Sequence, residues 1–124
     1  MIDLAELVSK IKNKQYEFSK HALDQSIVRE ISVSEMEQAI LGNASIIENY
    51  PNDKYGPSCL IIGHTLNGRP LHVQCSHPNR SLVKIITLYQ PNPEHWLMIE
   101  YENQNEEKIN YEWDTGWNRS GLYH

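Results

Sequence analysis

The sequence predicts a single α+β domain, in which two or three N-terminal helices pack on an antiparallel sheet of four to six strands. Two observations lead to this class. Apolar residues recur at helical spacing up to residue 41 and at the two-residue spacing of strands from residue 45 to residue 89. Gly, Pro, Asn and Asp separate the strand-like segments by short connections. We assign residues 1–98 to this domain and residues 99–124 to a C-terminal extension.

The first predicted helix covers residues 2–13, where one apolar stripe is formed by Leu4, Leu7, Val8 and Ile11. Asp3 and Glu6 near its start and lysines near its end match the charge preference of a helix dipole. Residues 13–16 then form a turn in this interpretation.

The second predicted helix runs from the N-cap Ser19 to about Arg29, with an inner face of Ala22, Leu23, Ser26 and Ile27. A third, short helix is predicted over residues 35–41. Its start matches a capping box formed by Ser34 and Glu37, and Gly42 is a typical helix stop. Its inward-facing residues are Met36, Ala39 and Ile40.

Four strands are predicted over residues 45–50, 58–66, 71–76 and 82–89. Asn67-Gly68 indicates a two-residue hairpin turn with positive φ at both positions. A loop of two or four residues places His64 and His72 on opposite faces of the sheet. The same alternation groups Lys84 with Leu82, Ile86 and Leu88, and groups Thr87 and Tyr89 with Val83 and Ile85.

The extension differs from the rest of the chain because it is acidic and aromatic. Residues 99–124 carry two basic and six acidic side chains, whereas residues 1–98 carry nine and ten. We expect an extra hairpin between residues 97–101 and 109–113. The formal net charge of −5 argues against a nucleic-acid binder, but a nearly neutral domain can still hold a local basic pocket.

Two cysteines, Cys59 and Cys75, lie within predicted strands. We expect buried free thiols of a reducing compartment, and the alternative is a disulfide. No apolar run approaches 18 residues, and the N-terminus lacks the basic start and apolar stretch of a signal peptide. The sequence therefore predicts a cytoplasmic protein without a membrane partner.

The residues best suited to chemistry are His21 and Arg29, which lie on one broad side of the second helix with Gln25 between them. Metal-independent RNA cleavage needs a group that moves protons and a cation that stabilises the phosphorane, and imidazole and guanidinium supply these. The structural alternative is that His21 packs at the helix–sheet junction and Arg29 pairs with Glu30 or Glu35.

Further candidates are polar residues of the strands and of the start of the second helix. We place His72 and Tyr89 with the catalytic groups, and we assign substrate binding to Lys20, Gln25, Arg69, Lys84 and Thr87. For a lone strand histidine the structural alternative is a hydrogen-bonded residue, and for Lys84 it is a strand lysine whose aliphatic stem covers apolar neighbours. The sequence lacks a phosphate-binding loop, a dinucleotide fingerprint, a zinc-protease motif and paired-cysteine motifs, so we expect no cofactor and no metal.

Six segments, in this order and spacing, carry a resemblance to a known family: YEFSKHAL (16–23), REISVSEMEQAI (29–40), IIENYPND (46–53), PSCLIIG (57–63), GRPLHVQC (68–75) and IITLYQPNPEHW (85–96). Over about residues 3–97 the chain closely resembles the prokaryotic family called domain of unknown function 4258. The resemblance implies the fold of RelE-type toxins and of barnase-like or EndoU-like nucleases. It also implies a small zinc-ribbon antitoxin-like protein as a partner.

The helix of this family usually carries a histidine, an arginine four residues later, and a second arginine followed by glycine. His21 and Arg29 match the outer positions, whereas Gln25 replaces the first arginine and Glu30 replaces the glycine. Sheet residues Arg69, His72, Thr87 and Tyr89 also match the pattern.

The resemblance thus implies the toxin of a toxin–antitoxin pair, a metal-independent endoribonuclease with RNA as substrate. The missing cation at Gln25 and the acidic extension favour the alternative, a non-catalytic protein- or RNA-binding module on the same fold. A third possibility is a domain that has lost its ancestral activity. The sequence does not indicate the oligomeric state.

Overall fold

The computed structural model describes residues 2–92, which contain three helices and five strands. The predicted 99–124 extension and its hairpin lie outside these residues. In chain order the elements are α1 (Leu4–Lys12), β1 (Tyr16–Phe18), α2 (Lys20–Val28), α3 (Val33–Leu41), β2 (Ser45–Tyr50), β3 (Ser58–His64), β4 (Pro70–Ser76) and β5 (Val83–Tyr89). The strand order across the sheet is β1-β5-β4-β3-β2.

The sheet is mixed, so the prediction of a purely antiparallel sheet is wrong. Strands β2 to β5 form the expected antiparallel meander, but β1 pairs in parallel with β5, with Tyr16 opposite Val83 and Phe18 opposite Ile85. The strand occupies residues that the sequence assigned partly to a turn. Its three residues are too few to show a period of two, which explains why this strand was not predicted.

Helix α1 confirms its predicted position and its capping. The Asp3 side chain accepts a hydrogen bond from the Glu6 backbone N–H at 3.1 Å, which satisfies one of the free donors at the helix start. Leu7 and Ile11 are fully buried against α3 and the sheet.

Helix α2 begins after its predicted N-cap, Ser19, whose side chain accepts from the Ala22 backbone N–H. It ends in a Schellman motif: the Ile31 N–H donates to the Ser26 carbonyl at 2.9 Å, and the Glu30 N–H donates to the Ile27 carbonyl at 3.2 Å. Glu30 holds the left-handed position of this motif, with φ of 54°.

The predicted inner face of α2 is only half right. Ala22 and Ser26 are buried, whereas Leu23 and Ile27 are 48% and 70% exposed. The helix lies along the edge of β5, where it contacts the rest of the domain over a narrow sector, so an apolar residue 100° away from Ala22 reaches solvent.

Helix α3 starts two residues earlier than predicted, because its capping box is formed by Ser32 and Glu35 and not by Ser34 and Glu37. The sequence contains two overlapping matches to the same motif. The first is used, which leaves Glu37 to bond Lys14 at 2.8 Å and the Tyr16 hydroxyl. The predicted stop at Gly42 is confirmed, as are the predicted buried residues Met36, Ala39 and Ile40.

Residues 65–69 join β3 to β4, and a backbone hydrogen bond between Thr65 and Arg69 leaves a turn of three residues between them, instead of the predicted two or four. The Thr65 N–H donates to the Arg69 carbonyl and the Gly68 N–H to the Thr65 carbonyl, both at 2.9 Å. Gly68 has a positive φ of 85°, but Asn67 does not, so the predicted turn type is wrong. Because the number of loop residues is odd, the predicted sheet faces of the two histidines are also wrong. His72 pairs with Ile62, and His64 therefore lies on the same sheet face as His72.

A β-bulge in β5 makes a second prediction wrong, namely which residues of this strand share a sheet face. Gln74 pairs with Thr87 and Cys75 pairs with Ile85, so Ile86 is an extra residue. Lys84 therefore shares a face with Thr87 and Tyr89, and not with Leu88 as predicted. Leu88 instead joins Val83 and Ile85 in the core.

The core lies between one sheet face and helices α1 and α3. Cys59 and Cys75 belong to it as a directly paired cross-strand couple, and both are buried free thiols, as predicted. The hydrogen bond with Cys59, together with burial, raises the pKa of Cys75 well above its usual value, so it stays a thiol. No helix within residues 2–92 has the length and apolar character needed to cross a bilayer.

We predict that Glu30→Gly stabilises the domain. An L-residue in the left-handed region is disfavoured by contact between its Cβ and the backbone, and glycine has no such contact. The free energy of unfolding should rise by about 1 kcal/mol, measured by urea denaturation of dilute protein. Glu30→Ala is the control, since it removes the carboxylate but keeps the Cβ. An equal gain in both variants would show that the charge, not the backbone, is responsible.

We also predict that Gly63→Ala destabilises the domain strongly, because α3 lies directly on β3 at this position. A Cβ on Gly63 would lie 2.7 Å from the Ala39 carbonyl carbon and closer still to its oxygen. The loss should reach about 3 kcal/mol or more in urea denaturation. Adding Ala39→Gly should not restore stability, because the obstructing atoms are backbone. Restoration would mean that the helix can move away from the strand.

Candidate functional site

The sheet has a second face, opposite α1 and α3, that carries polar side chains among its buried residues. We call it the polar face and define it by Ser58, His72, Gln74, Lys84, Thr87 and Tyr89, which alternate along β3, β4 and β5 with residues of the core. Five of these six are buried, Lys84 being half-buried. Buried polar side chains are uncommon without hydrogen-bond partners, so the polar residues of this face are candidates for a functional site.

Helix α2 lies beside the polar face because it continues the edge of the sheet. Strand β1 covers β5 only as far as Ile85, and α2 begins at that point. The Ser19 hydroxyl donates to the Ile86 carbonyl at 3.1 Å, and at the other end of the helix the Arg29 guanidinium donates to the Leu88 carbonyl at 3.0 Å. Both ends of α2 are thus fixed to the backbone of β5.

The predicted row on α2 is present as one side of the helix. His21, Gln25 and Arg29 follow each other at four-residue intervals and are all half-buried. Lys20, in contrast, is exposed and pairs with Asp24 at 3.4 Å. The row therefore ends at Arg29, whose guanidinium lies 5.9 Å from the centre of the Tyr89 ring on the polar face.

The centre of the site is a cluster of His72, Tyr89 and Arg29. His72 and Tyr89 are direct cross-strand partners on β4 and β5. The His72 Nδ1 lies 3.2 Å from the Tyr89 hydroxyl, and the two rings meet edge to face with centroids 5.2 Å apart. With the Arg29 guanidinium 5.9 Å from the centre of the same phenol ring, the cluster combines an imidazole, a hydroxyl and a permanent cation.

Burial determines the charge state of His72. The side chain is 1% exposed, and the loss of solvation lowers its pKa from 6.5 to about 4. At neutral pH the imidazole is therefore uncharged. In that form one ring nitrogen accepts and the other donates, so His72 can orient the Tyr89 hydroxyl or exchange a proton with it.

Next to this cluster, a chain of hydrogen bonds crosses the polar face. The Gln74 amide donates to the Ser58 hydroxyl at 3.2 Å, and Ser58 donates to the Asp53 carboxylate at 2.8 Å. No sequence pattern predicted a functional role for these three residues. The only available signal was Gln74 itself, a long polar side chain between the buried residues Val73 and Cys75.

Thr87 and Lys84 occupy different surroundings on the polar face. The Thr87 hydroxyl is buried, and within residues 2–92 no hydrogen-bond partner reaches it. Lys84 pairs with Glu17 of β1 at 3.1 Å. Thr87 thus offers an unused hydrogen-bonding group, whereas Lys84 is partly neutralised.

Arg69 is not on the polar face, although it was predicted as a substrate-binding residue. Its guanidinium donates to the carbonyls of Arg29 and Glu30 at 3.1 and 2.9 Å, and it pairs with Glu35 at 3.2 Å. It therefore joins the end of α2 to the start of α3. Because it holds the backbone of Arg29, it positions a residue of the cluster.

The described residues contain no group of three His, Cys, Asp or Glu side chains that could hold a metal ion. His64 and His72 share a face, but His64 is exposed and His72 is buried.

We predict that the stability of the domain decreases with acidification through His72. Between pH 6.5 and pH 4 the unfolded state binds a proton at this histidine and the folded state does not, so the free energy of unfolding falls as the pH falls. The loss attributable to His72 should approach roughly 3 kcal/mol at pH 4. The free energy of unfolding, measured by urea denaturation, should therefore fall less across this pH range in His72→Gln than in the wild type.

His64→Gln is the matched control, because His64 is exposed on the same face. It should keep the wild-type profile. A His72→Gln profile that coincides with the wild type would contradict the prediction.

Comparison with known proteins gives one match. No curated protein and no solved structure has a significant similarity to this chain. The family model described as "Domain of unknown function (DUF4258)" matches residues 18–90, which is more than half of the chain and includes His21, Arg29, His72, Thr87 and Tyr89. The resemblance found in the sequence is confirmed at this level, while the implied likeness to RelE-type and barnase-like nucleases stays a prediction. The chain belongs to the domain of unknown function 4258 family.

Proposed function

We propose that this protein is a metal-independent endoribonuclease that acts as the toxin of a toxin–antitoxin pair, on a RelE/barnase-like fold. The observation that supports the proposal is the cluster of His72, Tyr89 and Arg29, with a histidine–hydroxyl contact of 3.2 Å and a guanidinium near the same ring. His72 and Tyr89 lie on the polar face, next to the half-buried row of α2 that ends at Arg29, and none of the three belongs to the apolar core cluster.

The proposed reaction is an internal transesterification of RNA. A base removes the proton of a 2′-hydroxyl, the 2′-oxygen attacks the adjacent phosphorus, and the bond from phosphorus to the 5′-oxygen breaks as an acid protonates the leaving oxygen. The products are a 2′,3′-cyclic phosphate and a 5′-hydroxyl. Every atom of this step comes from the RNA and from two side chains that exchange protons.

In this proposal, Arg29 stabilises the negative charge of the phosphorane, because a guanidinium carries a permanent charge and matches phosphate geometry. His21 and Tyr89 transfer the protons, and His72 orients the Tyr89 hydroxyl as a neutral imidazole. Gln25, Thr87, Lys20 and Lys84 are assigned to substrate contacts. Among them Thr87 is distinguished by a buried hydroxyl that has no hydrogen-bond partner within residues 2–92.

The charge of the domain allows RNA binding but limits its strength. Residues 1–92 carry nine basic and nine acidic side chains, so long-range attraction to a polyanion is weak. A preformed clamp at Arg29 must therefore supply much of the affinity. The proposed antitoxin partner, a small zinc-ribbon protein, and the cytoplasmic location follow from the family resemblance alone.

The alternative is a non-catalytic protein- or RNA-binding module, which one observation favours. Two cations that were assigned to the substrate are instead paired with carboxylates, Arg69 with Glu35 and Lys84 with Glu17. A site with fewer available cations is better suited to binding than to stabilising a phosphorane.

We predict that the purified full chain cleaves RNA in the presence of EDTA, with cellular RNA and ribosome-bound mRNA as substrates. His21→Ala, Arg29→Ala and Tyr89→Phe should each lower the rate about 100-fold or more, because each removes a proton-transfer group or the cation. Arg80→Ala is the charge-matched control, since Arg80 is exposed, and it should cleave at the wild-type rate.

The same variants should separate the two functions. Cleavage that survives in all three site variants would contradict the assigned site. Binding of RNA without cleavage by the wild type would support the binding module. Expression of the wild type should arrest growth, and His21→Ala or Arg29→Ala should relieve the arrest.

A further inference from the structure

The contact between Arg29 and Tyr89 joins two elements at their ends. Arg29 is the C-cap of α2, and Tyr89 is the last residue of β5. Chain ends are the least constrained positions of a helix and a strand, since their backbone bonds continue in one direction only. The distance of 5.9 Å between the guanidinium and the phenol ring therefore depends on what holds these two ends together.

Arg69 contacts both ends with one side chain. Its Nε donates to the side-chain oxygen of Gln90, the residue after Tyr89, at 2.8 Å. Its Nη2 donates to the Arg29 carbonyl at 3.1 Å, and its Nη1 donates to the Glu30 carbonyl at 2.9 Å. One planar guanidinium thus links the end of β5 to the end of α2.

Glu35 fixes the Arg69 guanidinium itself. The Glu35 carboxylate accepts from the Ser32 backbone N–H at 3.0 Å in the α3 capping box, and it pairs with Arg69 Nη1 at 3.2 Å. The bond from the Ser32 backbone, with Arg69 as a further cause, lowers the pKa of Glu35. The carboxylate is therefore charged at neutral pH and is held at the start of a helix.

These contacts leave Arg69 little capacity for a ligand. A guanidinium has five N–H groups. Nε uses its single N–H, Nη1 uses both of its own for Glu30 and Glu35, and Nη2 uses one for Arg29. Bidentate binding of a phosphate needs two parallel N–H groups, so it would require Arg69 to give up a contact within the domain.

We propose that Arg69 is a positioning residue of the cluster, which holds the Arg29 guanidinium against Tyr89 and does not itself contact RNA. The effect on cleavage rests on the ribonuclease function proposed above, whereas the positioning does not. Lysine cannot replace Arg69, because a single nitrogen cannot bond Gln90, Glu35 and two carbonyls in the plane of one fork. Stabilisation of a phosphorane depends on preorganised charge, so a small displacement of Arg29 lowers the rate.

Side-chain NMR of the full chain tests the positioning without RNA. The Arg29 Nη–H signals, assigned by their loss in Arg29→Lys, report on the bond to the Leu88 carbonyl. Exchange of these protons with water should be about tenfold faster in Arg69→Lys, which corresponds to the loss of one hydrogen bond. Gln90→Ala, which removes only the contact with β5, should give a smaller increase in the exchange rate.

Lys14→Gln is the matched control. Lys14 also pairs with a glutamate of α3, Glu37, at 2.8 Å, but it bonds no residue of the cluster. It should therefore lose comparable surface electrostatics and keep the wild-type exchange rate at Arg29. Unchanged exchange in Arg69→Lys would overturn the proposal, and so would an equal increase in Lys14→Gln.

A double-mutant cycle separates positioning from direct contact with RNA. Arg69→Lys should lower the cleavage rate about tenfold when Arg29 is present, and by less than about threefold in the Arg29→Ala background. Losses that multiply in the double variant would show a direct contact and contradict the proposal. A wild type that does not cleave RNA would contradict the ribonuclease function alone, and the exchange rates would then decide the role of Arg69.

Discussion

The arrangement of this domain depends on how the open edge of β5 is satisfied. Backbone N–H and C=O groups at a sheet edge need partners, and an uncovered edge invites pairing with another chain. Strand β1 covers only the first half of β5, and α2 takes over where β1 ends, through Ser19 at one end and Arg29 at the other. This constraint fixes α2 beside the polar face. Arg29 consequently serves the edge and the candidate site with one side chain.

The same constraint explains why Arg69 lies away from the polar face. Helix α2 is short and holds the domain through a narrow sector, so its C-terminal end requires a second attachment. The Schellman motif at Glu30 turns the chain, and the Arg69 guanidinium then binds the carbonyls on both sides of the turn together with Glu35. The position of Arg29 is therefore held by a residue 40 positions later in the sequence, and not by the helix alone.

The helices and long strands could be predicted from the sequence because each contains enough residues to display a period. Strand β1 could not, since three residues show no alternation. Two predictions of which residues share a sheet face were wrong, and each error arose from one residue. In one case it is the length of the β3–β4 loop, and in the other it is the bulge residue Ile86. Hydrophobic patterns tolerate such single insertions without visible change, because an apolar residue remains acceptable on either side of a well-covered sheet.

For the site, the sequence identified the residue types of the cluster but not their grouping. His21 and Arg29 were predicted from helical spacing, and His72 and Tyr89 from the family resemblance. That His72 contacts Tyr89 depends on strand register, which the sequence specifies only through the loop length. The chain from Gln74 through Ser58 to Asp53 also depends on register and had no motif. The location of the Arg69 guanidinium could not be predicted for another reason: a long side chain reaches several alternative partners from one backbone position.

The bulge at Ile86 has a consequence for how this domain can change over time. Residues before and after Ile86 are out of phase by one, so Lys84 and Thr87 face the same way while the apolar residues on both sides face the core. Loss of Ile86 would remove the bulge and make Ile85 and Thr87 consecutive, opposite Cys75 and Gln74, so strict alternation would return with the same side chains on each face. The phenol of Tyr89 would stay on the polar face and Leu88 in the core. Related chains can therefore lack one residue at this point without any change in the side chains that face the candidate site.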